Sequence, residues 1–299
     1  MHKIFSQHSK KKIPLAGLSV EKSWVRCVVL GWEKGHLSVK KKIEYPVPEE
    51  TSLFESFFDW VKLLKNLVEE ASFPKNVLIN CTLPITHIFL ETLHFPELPQ
   101  RELEKALEWE VKRRFKVAWD KICCDSFRYE SNERSSAPKV SLLVSAALNL
   151  VIKRFLRILH HSRIGAACIE PPQVSLLRGV GGPYGSDYRP VTLFYADGTI
   201  LHRLMVSEEE YIFTDTVSSV LSMDDESIGI DSLLLKDNHW FWAGGESGTA
   251  LEIRKRMAPE MKELPPLNHM WNIKGHALSL KGWEIPFGLA LRELQWTLN

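Results

Sequence analysis

The sequence predicts an α/β protein of two lobes, with a small α+β module inserted into the first. Three observations carry that expectation. Short apolar runs rich in β-branched residues alternate with stretches whose apolar positions recur every three or four residues. Near residue 84 the first series of strands is interrupted by a self-contained set in the order strand, helix, strand, strand, helix. Residues 179–190 then hold four glycines and two prolines in twelve positions, and strands resume beyond them.

The elements follow in order. Residues 13–20, 24–32 and 37–45 read as a three-stranded meander, with turn residues at 21–23 and 33–35. Phe54, Phe57, Phe58, Val61, Leu64, Leu67, Val68 and Ala71 mark an amphipathic helix laid on that sheet, and 77–83 returns as a strand. A strand at 86–95 opens the insertion, followed by a helix over 100–115 with Leu103, Ala106, Leu107 and Val111 on one stripe. Strands at 123–129 and 139–147 flank a polar loop at 130–138, and 150–159 forms a second amphipathic helix.

Beyond the glycine-proline linker, 191–195 and 200–206 form a hairpin across Ala196-Asp197-Gly198-Thr199. A helix near 208–221, a strand at 239–243, a helix over 249–257 and a closing helix over 287–297 complete the second lobe. The expected divisions are a basic tail at 1–12, a first lobe of 13–83 plus 169–178, an insertion at 84–168, the linker at 179–190 and a shortened second lobe at 191–299.

Composition narrows the function classes. At 44% hydrophobic and 25% charged residues the chain is neither disordered nor fibrous, and its 299 residues exceed one typical domain of about 100 to 200. A net charge of +1 gives no global attraction to nucleic acid or anionic lipid, so no nucleic-acid partner is expected. Lys3, Lys10, Lys11 and Lys12 form a local exception, read as a solvated tail rather than a headgroup contact. No run approaches the ~20 apolar residues of a membrane span, and residues 1–12 lack an apolar secretion segment, so a cytoplasmic chain is expected. Five cysteines without CxxC spacing indicate neither a disulfide framework nor a zinc site.

Catalytic motifs are missing too. The sequence contains no HExxH, GxSxG, P-loop or GxGxxG pattern, and glycines 179–182 lack the lysine and helix start that phosphate binding uses. His160 and His161 are adjacent on a helix and point apart, and Asp224, Asp225, Glu226 and Asp231 lack the order of a calcium loop, so no metal is expected. Trp240 and Trp242 share one side of a strand, as core residues or as part of a groove.

Taken together, the segments resemble the PilM-like proteins of type IV pilus assembly and the cytoplasmic part of their type II secretion counterpart GspL, over most of the chain. Leu83-Pro84 and Phe95-Pro96 bracket a strand before an acidic helix carrying Trp109-Glu110. Asp125 to Tyr129, Val144 to Ala147 and the helix ending at His161 follow in the family's order, and Ile164 to Pro171 matches its return to the first lobe. Ala243-Gly244-Gly245-Glu246-Ser247-Gly248 and Ile285-Pro286-Phe287-Gly288-Leu289-Ala290 are similar to the family's adenosine-side glycine turn and final helix. The resemblance implies a two-lobed actin-like (ribonuclease H-like) fold.

It also locates the nucleotide sites, and there the sequence departs from the pattern. Actin-like ATPases cradle phosphates on turns where small residues let backbone N–H groups approach. The first turn falls on Ser19, Glu21, Lys22 and Ser23, with serine in place of the metal-organising aspartate and glutamate in place of glycine. A carboxylate there repels phosphate and its Cβ crowds the turn. The second turn is either a shifted remnant at Asp197-Gly198 or has been deleted, and the spacing favours deletion. Gly244, Gly245 and Gly248 are what remains of the adenosine side.

The resemblance therefore implies a pseudo-ATPase scaffold with no cofactor, peripheral to the inner membrane through its partners. Its expected partners are a PilN-like or GspM-like bitopic inner-membrane protein and a PilB-like or GspE-like secretion motor ATPase. The family holds a partner peptide between the first-lobe sheet and the insertion, which points to Ile85, Phe89, Leu103, Leu107 and Trp109 here. The competing expectation is an active actin-like ATPase or kinase with an atypical phosphate turn.

Overall fold

A computed structural model of the chain describes residues 15–33, 36–47, 56–129, 139–180, 191–197, 200–206, 213–216, 239–244, 262–263 and 282–295. Strands β1 (Ala16–Val20), β2 (Trp24–Glu33) and β3 (His36–Pro46) form the expected antiparallel meander. Strand β4 (Val77–Thr82) pairs parallel with β1, and β8 (Ile164–Ile169) pairs parallel with β4. The resulting sheet has the order β3-β2-β1-β4-β8. Parallel pairing of β4 and β8 requires a crossover, and residues 83–163 supply it.

Helix α1 (Phe57–Ala71) covers one face of this sheet because Trp60, Val61, Leu64, Leu67 and Ala71 fall on one stripe. It ends at Ser72 in the left-handed region (φ 57°), where Lys41 Nζ donates to Glu70 O (2.7 Å) and to Ser72 Oγ (2.9 Å). Helix α3 (Asn149–His161) lies beside it, adding Phe155, Ile158 and Leu159 to the same core. Cys27 and Cys81 are buried there, Cys124 and Cys168 are half-buried and Cys123 is exposed, and no disulfide joins any of them. Burial pushes the Cys27 thiol up to about 12, which leaves it protonated and unreactive at neutral pH.

The crossover carries the inserted module. Strands β5 (Phe89–Pro96), β6 (Ile122–Tyr129) and β7 (Lys139–Leu148) form an antiparallel sheet in the order β5-β7-β6. Helix α2 (Gln100–Phe115) covers one face of it, with Leu103 and Val111 packed on Leu93, Ile122, Val140, Leu142, Val144 and Ala146.

The second sheet has the order β11-β10-β9-β12-β13, built from β9 (Val191–Asp197), β10 (Ile200–Val206), β11 (Phe213–Thr216), β12 (His239–Gly244) and β13 (Lys262–Glu263). The expected hairpin is present, with Asp197 opposite Ile200. The helix expected over 208–221 is not formed at 213–216, where Phe213-Thr214-Asp215-Thr216 pairs antiparallel with β10 from Met205 to His202. Aromatic and β-branched residues at that site complete a sheet edge more readily than they propagate a helix. Residues 208–212, 217–221 and the helix expected at 249–257 lie outside the described residues.

Helices α4 (Pro172–Gly179) and α5 (Glu284–Gln295) occupy the space between the two five-stranded sheets. Phe287, Ala290 and Leu291 of α5 pack on Val28, Leu30 and Leu37 of the first sheet. Ile285 and Leu289, with Leu176, Leu177 and Val180 from α4 and its end, pack on Leu193, Tyr195 and Leu204 of the second. The sequence counts α5 with the second lobe and starts it at 287. It begins at Glu284, with Pro286 in its first turn, and lies against β1, β2 and β4.

Candidate functional site: the inter-lobe turn and a three-module cleft

Two places bear on function. The first is the turn joining β1 to β2. Glu21 is 5% exposed, and three donors converge on its carboxylate. Ser19 Oγ donates to Oε1 at 2.8 Å, while Arg26 Nη1 (2.9 Å) and the Tyr195 hydroxyl of the second lobe (2.8 Å) donate to Oε2. Arg26 also donates through Nε to Glu44 Oε2 at 3.0 Å, and its guanidinium lies 5.4 Å from the Trp24 ring and 5.7 Å from that of Trp283.

The electrostatics follow from burial. Desolvation pulls the Arg26 pKa down, but the carboxylate charges of Glu21 and Glu44 and the hydrogen bond to Glu44 outweigh it and hold the group above its ordinary value. Desolvation wins at neighbouring Lys42, whose ammonium sits 4.5 Å above the Trp283 ring and whose pKa is lowered. The turn therefore buries a charge pair that ties one lobe to the other.

The same geometry bears on phosphate binding. The Glu21 N–H donates to Trp24 O (2.8 Å), and no residue from Glu21 to Trp24 adopts a positive φ. A phosphate nest of the αR–αL kind needs a residue at positive φ, which this turn lacks. Ser19 is buried, Lys22 is exposed and Ser23 is half-buried. Gly244 closes β12 opposite Ala196, and Gly245 and Gly248 lie outside the described residues. Among the described residues no three His, Cys, Asp or Glu side chains converge on a metal position.

Tyr195→Phe tests the tie. Removing one hydrogen bond to a buried charge is expected to lower stability by about 1.5–3 kcal/mol, read as a shift of the urea midpoint at constant slope.

The second place is a cleft of about 430 Å³ where the first lobe, the insertion and the second lobe meet. Its apolar lining comes from Ile85 in the 3₁₀ turn Ile85–His87, Phe89 at the start of β5, Phe115 at the end of α2, and Val151 of α3. Phe89 and Phe115 meet edge to face with centroids 5.9 Å apart, and the Arg114 guanidinium lies 5.3 Å over Phe89. Arg114 pairs with Glu91 and, through Nη2, with Glu110 (3.1 Å), which fixes the charged rim.

Gln173 and His202 enter the same cleft from α4 and β10. Gln173 is 3% exposed and its Oε1 accepts no hydrogen bond among the described residues. Burial lowers the pKa of His87, which keeps that ring neutral at pH 7.

Of the five groove residues expected from the sequence, Ile85 and Phe89 line this cleft. Leu103 and Leu107 instead pack in the insertion's own core, the nearest surface to their helix stripe. Trp109 stands on the outer side of α2, exposed, with Arg113 stacked 5.8 Å from its ring. Phe115 continues the spacing Leu103, Leu107, Val111 and was within reach of the sequence. Gln173 and His202 were not, because they come from separate modules with no pattern linking them.

No protein-family model matches this chain, and no curated protein sequence does. Solved structures do match. A chain of the PilM-PilN type IV pilus biogenesis complex superposes with a TM-score of 0.71 at 14% identity, covering 94% of this chain and 99% of that one. The cytoplasmic domain of EpsL, an inner membrane component of the type II secretion system of Vibrio cholerae, gives 0.48 at 10% identity, with coverage of 83% and 95%. A Bacteroides thetaiotaomicron protein with an actin-like ATPase fold gives 0.48 at 10% identity, with coverage of 92% and 96%. The chain thus has the two-lobed actin-like fold expected from its sequence, shared along nearly its whole length with a chain of the PilM-PilN complex.

Proposed function

We propose that the protein is a non-catalytic cytoplasmic scaffold of a type IV pilus or type II secretion inner-membrane platform. Its cleft holds an extended cytoplasmic tail of a PilN-like or GspM-like bitopic membrane protein, and a PilB-like or GspE-like motor ATPase is its second partner. The observation that carries this reading is the cleft's chemistry. An apolar trough of Ile85, Phe89, Phe115 and Val151 contains a buried acceptor, Gln173 Oε1, that has no hydrogen-bond partner among the described residues.

A buried unsatisfied acceptor costs about 1–3 kcal/mol, and a peptide N–H recovers that on binding. Apolar side chains of the same peptide fill the trough, as in other extended-peptide sites. The non-catalytic half of the reading is supported by the turn at Glu21, where a buried carboxylate occupies the turn that the resemblance assigns to phosphate.

Two titrations of the full chain test both halves. A labelled synthetic peptide carrying the cytoplasmic tail sequence of a PilN-like bitopic protein is expected to bind by fluorescence anisotropy, and Gln173→Met is expected to raise Kd about tenfold without loss of stability. Equal affinity for wild type and variant, or no binding, would sink the cleft assignment. ATP with Mg²⁺ is expected to leave Tm unchanged, whereas a ligand at 100 times its Kd stabilises by about 2.7 kcal/mol. A nucleotide-dependent rise of that size would mean an active actin-like ATPase or kinase.

A further inference from the structure

A third surface, formed by the outward face of α3 and the start of α1, is distinct from the buried face through which α3 lends Val151 to the cleft. The sequence of α3 contains no acidic residue. Val151, Phe155, Ile158 and Leu159 are its buried face, which turns Leu150, Lys153, Arg157 and His161 outward along one stripe. On the adjoining helix Phe58 also faces solvent.

Aromatic contacts hold this surface in one arrangement. The Phe57 ring meets Phe58 at 5.7 Å and His161 at 5.3 Å, both edge to face, and the Arg157 guanidinium lies 5.9 Å from its centroid. Ser162 Oγ donates to Ile158 O (2.9 Å) and to Val61 O (3.3 Å), joining the end of α3 to α1. Asp59, the acidic residue in the first turn of α1, is already engaged by Ser56 Oγ. In a chain whose net charge is +1, this is a local basic field with apolar tips between the charges.

Such a face fits an anionic partner, and its shape decides which kind. A recess that accepts a peptide buries the side chains of its floor, whereas Phe58 and Leu150 project at 82% and 69% exposure. Projecting apolar side chains among cations match a headgroup layer, where the tips enter the acyl boundary and the cations meet lipid phosphates.

We propose that the α3–α1 face docks directly on an anionic lipid bilayer. The contact is separate from the peptide cleft, so each assignment can fail without the other. The test is co-sedimentation of the full chain with phosphatidylcholine vesicles, with and without phosphatidylglycerol, at low and high salt. Binding that requires phosphatidylglycerol and falls with salt is the expected result.

Each cation lost is expected to weaken binding about fivefold, so the double variant Lys153→Glu, Arg157→Glu should lose well over tenfold. Phe58→Ser should weaken binding at unchanged charge. Both variants sit at exposed positions and keep the wild-type melting temperature. The basic residues 1–12 are retained in every variant, so unchanged binding by the double variant would assign the contact to that tail and overturn the proposal. Equal pelleting with neutral vesicles, or binding to polyglutamate but not to phosphatidylglycerol vesicles, would overturn it as well.

Discussion

Glu170→Ala is expected to destabilise the protein by about 3–5 kcal/mol, lowering Tm by roughly 6–20 °C. Glu170 follows β8 and is 6% exposed. It accepts from Arg178 Nη1 (2.5 Å) and Nη2 (3.0 Å), Ser175 Oγ (2.6 Å) and Arg292 Nε (2.9 Å), which joins the first sheet to α4 and α5. Arg178 has a further bond to Gly288 O at 3.1 Å and is itself 9% exposed. Removing the carboxylate leaves a guanidinium buried without its counter-charge, and that uncompensated charge rather than the lost attraction sets the size of the effect.

The double variant Glu170→Leu, Arg178→Met is therefore expected to recover much of the loss, since two apolar groups of similar size need no desolvated charge. Urea unfolding of the three proteins decides the matter. A single variant within 1 kcal/mol of wild type would mean that the network is open to water.

Gly288→Ala is expected to cost at least about 3 kcal/mol or to prevent folding, although alanine is the better helix former by about 1 kcal/mol. A Cβ at 288 would lie 1.8 Å from Ser175 O and 2.7 Å from Gly179 N, and one at 179 would lie 1.9 Å from Glu284 O. These neighbours are backbone of the facing helix and cannot rotate away. The α4–α5 crossing would have to open, and with it the packing of both sheets on that helix pair.

Gly31→Ala is the matched control. The nearest atoms to a Cβ there are Cε and Cγ of Lys40, at 2.8 Å and 3.0 Å, on a flexible side chain. Its expected effect is within about 0.5 kcal/mol. Thermal melts of the two variants side by side measure whether α4 and α5 are in backbone contact.

Much of the architecture was readable from residue pattern. The apolar, β-branched runs in residues 16–46 and the 3.6-residue stripe from Phe57 to Ala71 are local features of the chain. The interruption by a self-contained strand and helix set could likewise be read as an insertion, because that set carries its own apolar faces. At 213–216 pattern misled: the acidic run Glu208-Glu209-Glu210 before it resembles a helix start, and only the presence of β10 as a pairing partner makes Phe213–Thr216 a strand.

By itself, then, the sequence determined the order and type of most elements, the fold class and the presence of a carboxylate, Glu21, in the turn between the first two strands. Only the tertiary structure decided what that glutamate does. Its partners Arg26 and Tyr195 lie five and 174 positions away, the latter in the other lobe. The cleft is likewise a product of assembly, since Gln173 and His202 reach Ile85 and Phe89 only once three modules have packed together. Periodicity is set by each residue's near neighbours along the chain, whereas burial, charge pairing and enclosure depend on side chains brought together from distant positions, for which no local pattern exists.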